Sequence, residues 1–324
     1  MALRQSNAMA IFLGHRTAEL LLNQPSIGLL DPSPDQELEH CWASQLDFGH
    51  VDLSVLESIS KPFDILVSSQ EELRKWEGMH CHLCTAQLPG GSFIELTQDV
   101  FVASSALCLI QRAQELTVPQ SIALIERFCG NYTLDKKKKS GITERKPLLT
   151  LDDLRSYMDR CHRLRGLAKT RRACFYSLEG SASPMETISR LVFCLPSQFG
   201  GFGFPAPLMN YEIGLNDLGR RIVGKDFIRI DLFWKEHDFG IEYQGKYAHS
   251  SSTDIAADIA RQLAAERKGI QLQMITIEQL REQAQRWEVA RKISQNLGVS
   301  LPMGKDFQFA NQRLVDELIS AATS

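Results

Sequence analysis

The sequence predicts a mixed α/β (α+β) protein, with a mixed α/β N-terminal region followed by a C-terminal αβββαβ core built on a mixed sheet. Three observations predict it. Strand-forming runs and helix-periodic segments alternate along the 324 residues without any long-period repeat. From Ser183 onward the segments read in the order helix, strand, strand, strand, helix, strand, helix. A composition of 44% hydrophobic and 23% charged residues is that of a water-soluble chain long enough to bury two cores.

The elements follow in order. Ala10–Leu22 has helical spacing, and Pro25 to Pro34 is a turn-rich break. Phe63–Val67 and Phe93–Leu96 read as short strands, Ser104–Leu116 and Pro119–Cys129 as helices, with Pro119 suited to a helix start. Asp135-Lys-Lys-Lys-Lys-Ser-Gly141 is a charge run closed by glycine and reads as an exposed linker. Thr150 with Asp153 caps a helix carrying Leu151, Leu154, Met158 and Cys161 on an apolar stripe, and a second basic helix covers Lys169–Leu178. Ser183-Pro184 opens the next helix, which places Glu186 in its first turn and stops near Pro196. Gly200-Gly-Phe-Gly203 reads as a turn rather than a phosphate cradle, because no Lys-Ser/Thr and no helix follow it. A strand over Leu208–Ile213 precedes a hairpin. A helix from Thr253 to Lys268, a strand over Ile270–Thr276 and a helix over Ile277–Leu297 complete the pattern. The expected divisions are a recognition or partner-binding region (1–134), a basic linker with helices (135–182) and the αβββαβ domain (183–324).

Composition narrows the function classes. No apolar run approaches the ~20 residues of a membrane span, and Met1-Ala-Leu-Arg-Gln-Ser does not read as a secretory leader, so the cytoplasm is the expected compartment and no membrane partner is expected. Eight scattered cysteines point to reduced thiols. Cys81-His-Leu-Cys84 has zinc-like spacing, with His80 and His82 as further ligand types, but an alternating strand explains the same pattern and no second pair follows. The net charge is −3, yet it is unevenly spread. Asp31 to Glu72 holds ten acids and one Lys, whereas Lys136 to Arg172 holds thirteen Lys/Arg and four acids. The basic stretch reads either as a surface that tracks a phosphate backbone, with Lys169, Arg171 and Arg172 as DNA contacts, or as a solvated face. The acidic stretch reads as a protein-partner surface, as a cover for the basic stretch, or as another solvated face.

The hairpin carries the chemistry. Phe227 to Trp234 and Phe239 to Tyr243 are strand-forming runs separated by Lys235-Glu-His-Asp238. A turn symmetric about Glu236-His237 sets Trp234 opposite Phe239 and Asp231 opposite Glu242. Opposed side chains have Cβ atoms roughly 4.5–5.5 Å apart, where like charges destabilise, and a divalent cation is the simplest compensation.

Ser183-Pro-Met-Glu186, Asp231-Leu-Phe-Trp234, Glu242-Tyr-Gln-Gly245, His249 and Asp258-Ile-Ala-Arg261 occur in that order. Together they resemble the PD-(D/E)XK, or restriction-endonuclease-like, superfamily, and within it the branch similar to very-short-patch-repair endonucleases. The match spans about Ser183 to Leu280. The resemblance implies a metal-dependent DNA endonuclease active in defence or repair. Asp231 and Glu242 would ligate Mg²⁺ (or Mn²⁺), Glu186 would be a third ligand directly or through water, and His249 would act as an acid/base group or ligand unless it is a surface histidine. The whole chain also resembles AbiEi-type antitoxin proteins, which implies the alternative of a catalytically inactive nuclease fold acting as a DNA- or protein-binding regulator. The sequence departs from the superfamily at Gln244, which can orient a water but cannot take its proton. Arg229, opposite Gln244 in the same register, and Lys246 are the candidates for the missing positive charge and for DNA contact.

Overall fold

Local signals in the sequence decide where most elements begin, and packing decides which of them pair. The structure, a computed structural model, describes residues 10–28, 30–32, 52–73, 75, 77–97, 99–135, 137–245 and 252–323. They are mixed α/β and fall into two compact units, 1–177 and 178–324.

The first unit runs β1 (Ile11–Leu13), α1 (His15–Leu22), α2 (Pro25–Gly28), β2 (Phe63–Val67), β3 (Met79–Leu83), β4 (Phe93–Thr97), β5 (Val100–Ala103), α3 (Ser105–Arg112), α4 (Val118–Phe128), β6 (Tyr132–Leu134), β7 (Ile142–Glu144), α5 (Leu151–Arg160) and α6 (Leu167–Tyr176). Five strands form one sheet in the order β3-β2-β1-β5-β4, with β1 at its centre, antiparallel to β2 and parallel to β5. The helical spacing over Ala10–Leu22 therefore covers two elements. Ile11, Phe12 and Leu13 are all buried, as a strand paired on both edges and covered on both faces requires. The change to helix falls at Gly14, where a Cβ would lie 2.8 Å from the Leu66 side chain and 2.9 Å from Gln111 Oε1. Thr117 with Gln120, and Thr150 with Asp153, close capping boxes on α4 and α5. Lys137, Lys138 and Lys139 lie in the turn of the β6–β7 hairpin. Residues 135–182, set apart by sequence as linker and helices, thus contribute β7, α5 and α6 to the first unit.

The second unit runs α7 (Pro184–Cys194), β8 (Leu208–Gly214), α8 (Asp217–Val223), β9 (Phe227–Trp234), β10 (Phe239–Tyr243), α9 (Ser252–Glu266), β11 (Gln271–Ile275), α10 (Ile277–Arg281), α11 (Gln283–Leu297) and α12 (Lys305–Thr323). Its sheet order is β11-β10-β9-β8, antiparallel except for the β10–β11 pair, whose crossover contains α9. Ile228, Ile230 and Phe233 of β9 pack with Ala264 and Ala265 of α9 and with Ile270 in one apolar cluster.

The helix expected over Ile277–Leu297 is broken at Glu282, which has extended backbone. Arg286 explains the break. Its fully buried guanidinium donates to the carbonyls of Leu280 and Arg281 at the end of α10, and to Asn311 Oδ1 (2.7 Å) and Gln312 Oε1 (2.8 Å) of α12. Asn311 in turn donates to the carbonyl of Gly200 at 2.7 Å. Gly200 has a φ of +90°, and a Cβ there would sit 2.4 Å from the Ala310 carbonyl oxygen. This glycine turn is thus a seat for α12, a helix absent from the sequence-based order.

Candidate functional site

Three carboxylates from three elements converge in the second unit. Ser183 caps α7, accepting from the Glu186 N–H at 3.2 Å, and this fixes Glu186 in the first turn. Glu186 is buried, and its Oε2 accepts from the Ala182 N–H (2.8 Å) and from Asn210 Nδ2 (2.6 Å). Asn210 is a site residue that sequence reasoning missed. The β8–β9 ladder pairs Met209 with Leu232 and Tyr211 with Ile230, so Asn210 stands where a partner for Asp231 would be. Its φ of 51° is the left-handed conformation Asn tolerates better than most residues, and its amide also donates to the Gly180 carbonyl at 2.9 Å. Asn210 falls with Glu212 on the polar phase of the Met209, Tyr211, Ile213 alternation, so the sequence carried no signal for it.

The hairpin has the symmetric register. Trp234 pairs with Phe239, Phe233 with Gly240 and Leu232 with Ile241, which leaves Asp231 and Glu242 as the next opposed positions. Asp238, with a φ of 46°, closes the turn. Asp231 accepts from the Tyr243 N–H at 2.8 Å. Glu242 is buried, and Arg261 of α9 lies 3.8 Å from its Oε2. Trp234 anchors the hairpin end by donating from Nε1 to the Pro205 carbonyl at 2.8 Å.

The electrostatics record the crowding. Burial pushes the Asp231 carboxyl well above the usual carboxylate range, and the charges of Glu186 and Glu242 add to the rise; the Tyr243 N–H and Arg261 oppose it. Glu186 is raised as well, by burial first, against the Ala182, Asn210 and Ser183 hydrogen bonds and the charge of Arg229. The carboxylates do not close into a tight three-ligand set: among the described residues, only His15, His82 and Glu115 bring one ligand atom each within 4.8 Å of one another. Of its two acidic neighbours Asp231 feels the charge of Glu186 more than that of Glu242, and Glu186, its Oε2 already held by two donors, would meet a cation through an intervening water. Such an all-oxygen, partly hydrated donor set suits Mg²⁺ or Mn²⁺.

The remaining sequence candidates separate. Gln244 continues β10, its N–H donating to the Ile275 carbonyl at 2.8 Å. Arg229 pairs with Glu212 of β8 at 2.7 Å, and both are exposed enough to exchange partners with solvent or ligand. Lys246, His249 and the side chain of Asp258 lie outside the described residues, as do residues 33–51 of the acidic segment. In the first unit, the Lys169 ammonium donates to the Leu116 carbonyl and Arg171 to the Met158 carbonyl, each at 2.8 Å, with Arg171 also 3.8 Å from Asp159. Arg171 and Arg172 are exposed on α6. Cys81 lies on β3 and Cys84 just beyond it, and the described cysteines form no disulfide. Among the described residues no helix is long and apolar enough to cross a membrane. Comparison of the chain with protein-family models, curated proteins and solved structures finds no match.

Proposed function

We propose that the second unit is a metal-dependent phosphodiester hydrolase acting on DNA in the cytoplasm. The observation that carries this reading is the convergence of Glu186, Asp231 and Glu242 from α7, β9 and β10, with Glu186 and Glu242 buried and both of their charges bearing on Asp231. The element order from α7 to β11, apart from the added helix α8 between β8 and β9, and the Ser-Pro-x-Glu, Asp-Leu-x-Trp and Glu-Tyr-x-Gly motifs on the matching elements, support the resemblance to the PD-(D/E)XK superfamily. A bound Mg²⁺ supplies activation of water near neutral pH and neutralisation of phosphate charge. Asp231 and Glu242 would hold it, with Glu186, itself aimed by Asn210, as the third carboxylate beside it. Gln244 positions the attacking water by hydrogen bonding, and Arg229, released from Glu212, meets the phosphate. Arg171 and Arg172 supply backbone contacts to DNA independent of sequence.

A second reading has its own observation. Gln244 has no titratable group, and Arg261 already offsets the charge on Glu242, as suits an inactive nuclease-like fold that binds DNA or a protein. Plasmid nicking separates the two. The hydrolase reading expects Mg²⁺-dependent nicking that EDTA and Asp231→Ala each abolish. Retained DNA binding with no nicking in Mg²⁺ or Mn²⁺ overturns it in favour of the binding protein.

A further inference from the structure

The first unit contains a second constellation, unrelated to the carboxylates above. His15 follows β1 with a φ of 48°, a left-handed conformation uncommon for a side-chain-bearing residue. Its imidazole is buried and lies face to face with that of His82 on β3, ring centres 3.7 Å apart and planes 15° from parallel. Each ring has its own carboxylate. His15 Nδ1 is 2.7 Å from Glu115 Oε1, and His82 Nε2 is 2.7 Å from Asp64 Oδ1. Asp64 is itself fixed by the N–H and hydroxyl of Thr17 at 3.2 and 3.3 Å. Glu115 is bonded by Arg112, which also donates to Glu19 at 2.6 Å, and Glu19 receives Arg127 as well. The backbone N–H of His15 is held by Gln111 Oε1 at 2.9 Å.

Burial lowers the His15 pKa, and the neighbouring His82 adds to the effect, against the pull of Glu115 and Asp64, so the ring is neutral at pH 7. Burial alone would raise Asp64, but the His82 hydrogen bond and charge and the Thr17 N–H outweigh it and keep the carboxylate ionised. Glu115 is held down in the same way, its burial outweighed by His15 and Arg112.

We propose that His15, His82 and Glu115 bind one first-row divalent transition-metal ion, with Zn²⁺ as the reference case. The three offer one ligand atom each within 4.8 Å of one another. Two imidazoles and one carboxylate are a donor set that zinc uses where a fourth position stays open. That position has solvent access here, because the Glu115 and His82 side chains are 42% and 28% exposed whereas His15 is buried. His15 Nδ1 and Glu115 Oε1 share a proton at 2.7 Å, and the ion takes that proton's place, widening the gap to about 3.3 Å as tetrahedral bonds near 2.0–2.1 Å require. His82 ligates through Nδ1 while Nε2 keeps its bond to Asp64, the carboxylate–histidine–metal relay seen at metal sites generally. Because the rings are stacked, ligation also turns His82, the more exposed of the two, about its side-chain bonds. The Cys81/Cys84 spacing is not the source of this site: neither cysteine belongs to the set.

The test is Zn²⁺ equilibrium dialysis and Co²⁺ visible absorption on the full chain carrying Asp231→Asn, which removes the second unit's carboxylate pair from consideration. We expect one tight Zn²⁺ per chain and a Co²⁺ ligand-field band. His82→Ala and Glu115→Gln should each weaken binding at least about a hundredfold, and Asp64→Asn about ten- to a hundredfold. Circular dichroism checks that each variant keeps its fold, and Glu115→Gln, partly exposed and isosteric, is the control where His82→Ala fails to do so. Three results overturn the proposal: no stoichiometric Zn²⁺, Zn²⁺ binding unaffected by Glu115→Gln, or binding abolished only by Cys81→Ser with Cys84→Ser. None of these bears on Mg²⁺-dependent nicking by the wild-type chain, so the two readings fail separately.

Discussion

Replacing Asp231 by Asn should stabilise the metal-free protein and, in the same step, remove its response to Mg²⁺. The magnitude follows from the register. Asp231 and Glu242 are the next positions beyond the last pair, Leu232 with Ile241, of the β9–β10 hairpin, and two unit charges about 5 Å apart at an effective dielectric near 20 repel by roughly 3 kcal/mol. Protonation relieves part of this, since Asp231 binds its proton more tightly in the folded chain than in the unfolded one. A carboxyl raised in this way contributes stability that is fully present below its unfolded pKa of about 3.9 and is lost as pH rises through the folded value. Asn keeps the acceptor for the Tyr243 N–H and carries no charge, so a net gain of ~1–2 kcal/mol is expected at pH 7.5 in EDTA. For a unit of this size that is about 2–8 °C in Tm. The gain should shrink steadily as pH is lowered toward 4. Wild type should recover the difference on binding Mg²⁺, by about 2.7 kcal/mol at a hundredfold excess over Kd, and the variant should not. Scanning calorimetry in EDTA and in Mg²⁺ reads both effects. An equal or lower Tm for Asp231→Asn in EDTA at pH 7.5, or an undiminished Mg²⁺ shift, would refute the reasoning.

Asn210→Ala removes a donor to the buried Glu186 carboxylate and leaves a less tolerant residue in the left-handed conformation. It should cost about 2–3 kcal/mol in urea unfolding and lower nicking more than DNA binding. Arg286→Met deletes four hydrogen bonds that tie α10 to α12 and leaves buried acceptors unmet. A loss of at least about 3 kcal/mol is expected by calorimetry, and a change under 1 kcal/mol would show that water replaces the guanidinium. Charge reversal at Lys169, Arg171 and Arg172 should weaken DNA binding across all sequences and flatten its salt dependence. The Arg172 reversal should act most cleanly, because Lys169 and Arg171 also hold backbone carbonyls. Unchanged affinity would make α6 a solvated face.

Residues whose role is local were legible in the chain itself. Thr150 with Asp153, and Ser183 with Pro184, announce helix starts because a capping side chain acts within three residues of itself. The register of the hairpin, Trp234 with Phe239 through Leu232 with Ile241, was legible too, because a short turn between two apolar runs sets it. Composition and alternation were enough for a mixed α/β protein. Other features depend on partners distant in sequence. Ile11-Phe-Leu13 is a strand because β2 and β5 flank it, while its spacing alone suits a helix. Gly200 is required by Ala310 and Asn311, more than a hundred residues away. Asn210 meets Glu186 only once β8 lies beside α7. His15 and His82 are 67 positions apart, and Glu115 is a further 33 along the chain; no motif links them, and the β1–β2–β3 pairing with α3 brings them together. Sequence alone determined several helix starts and the register of the hairpin, since caps and turns are short-range. The third carboxylate's anchor and the histidine cluster were decided by the tertiary structure, since only packing sets which distant side chains share a buried space.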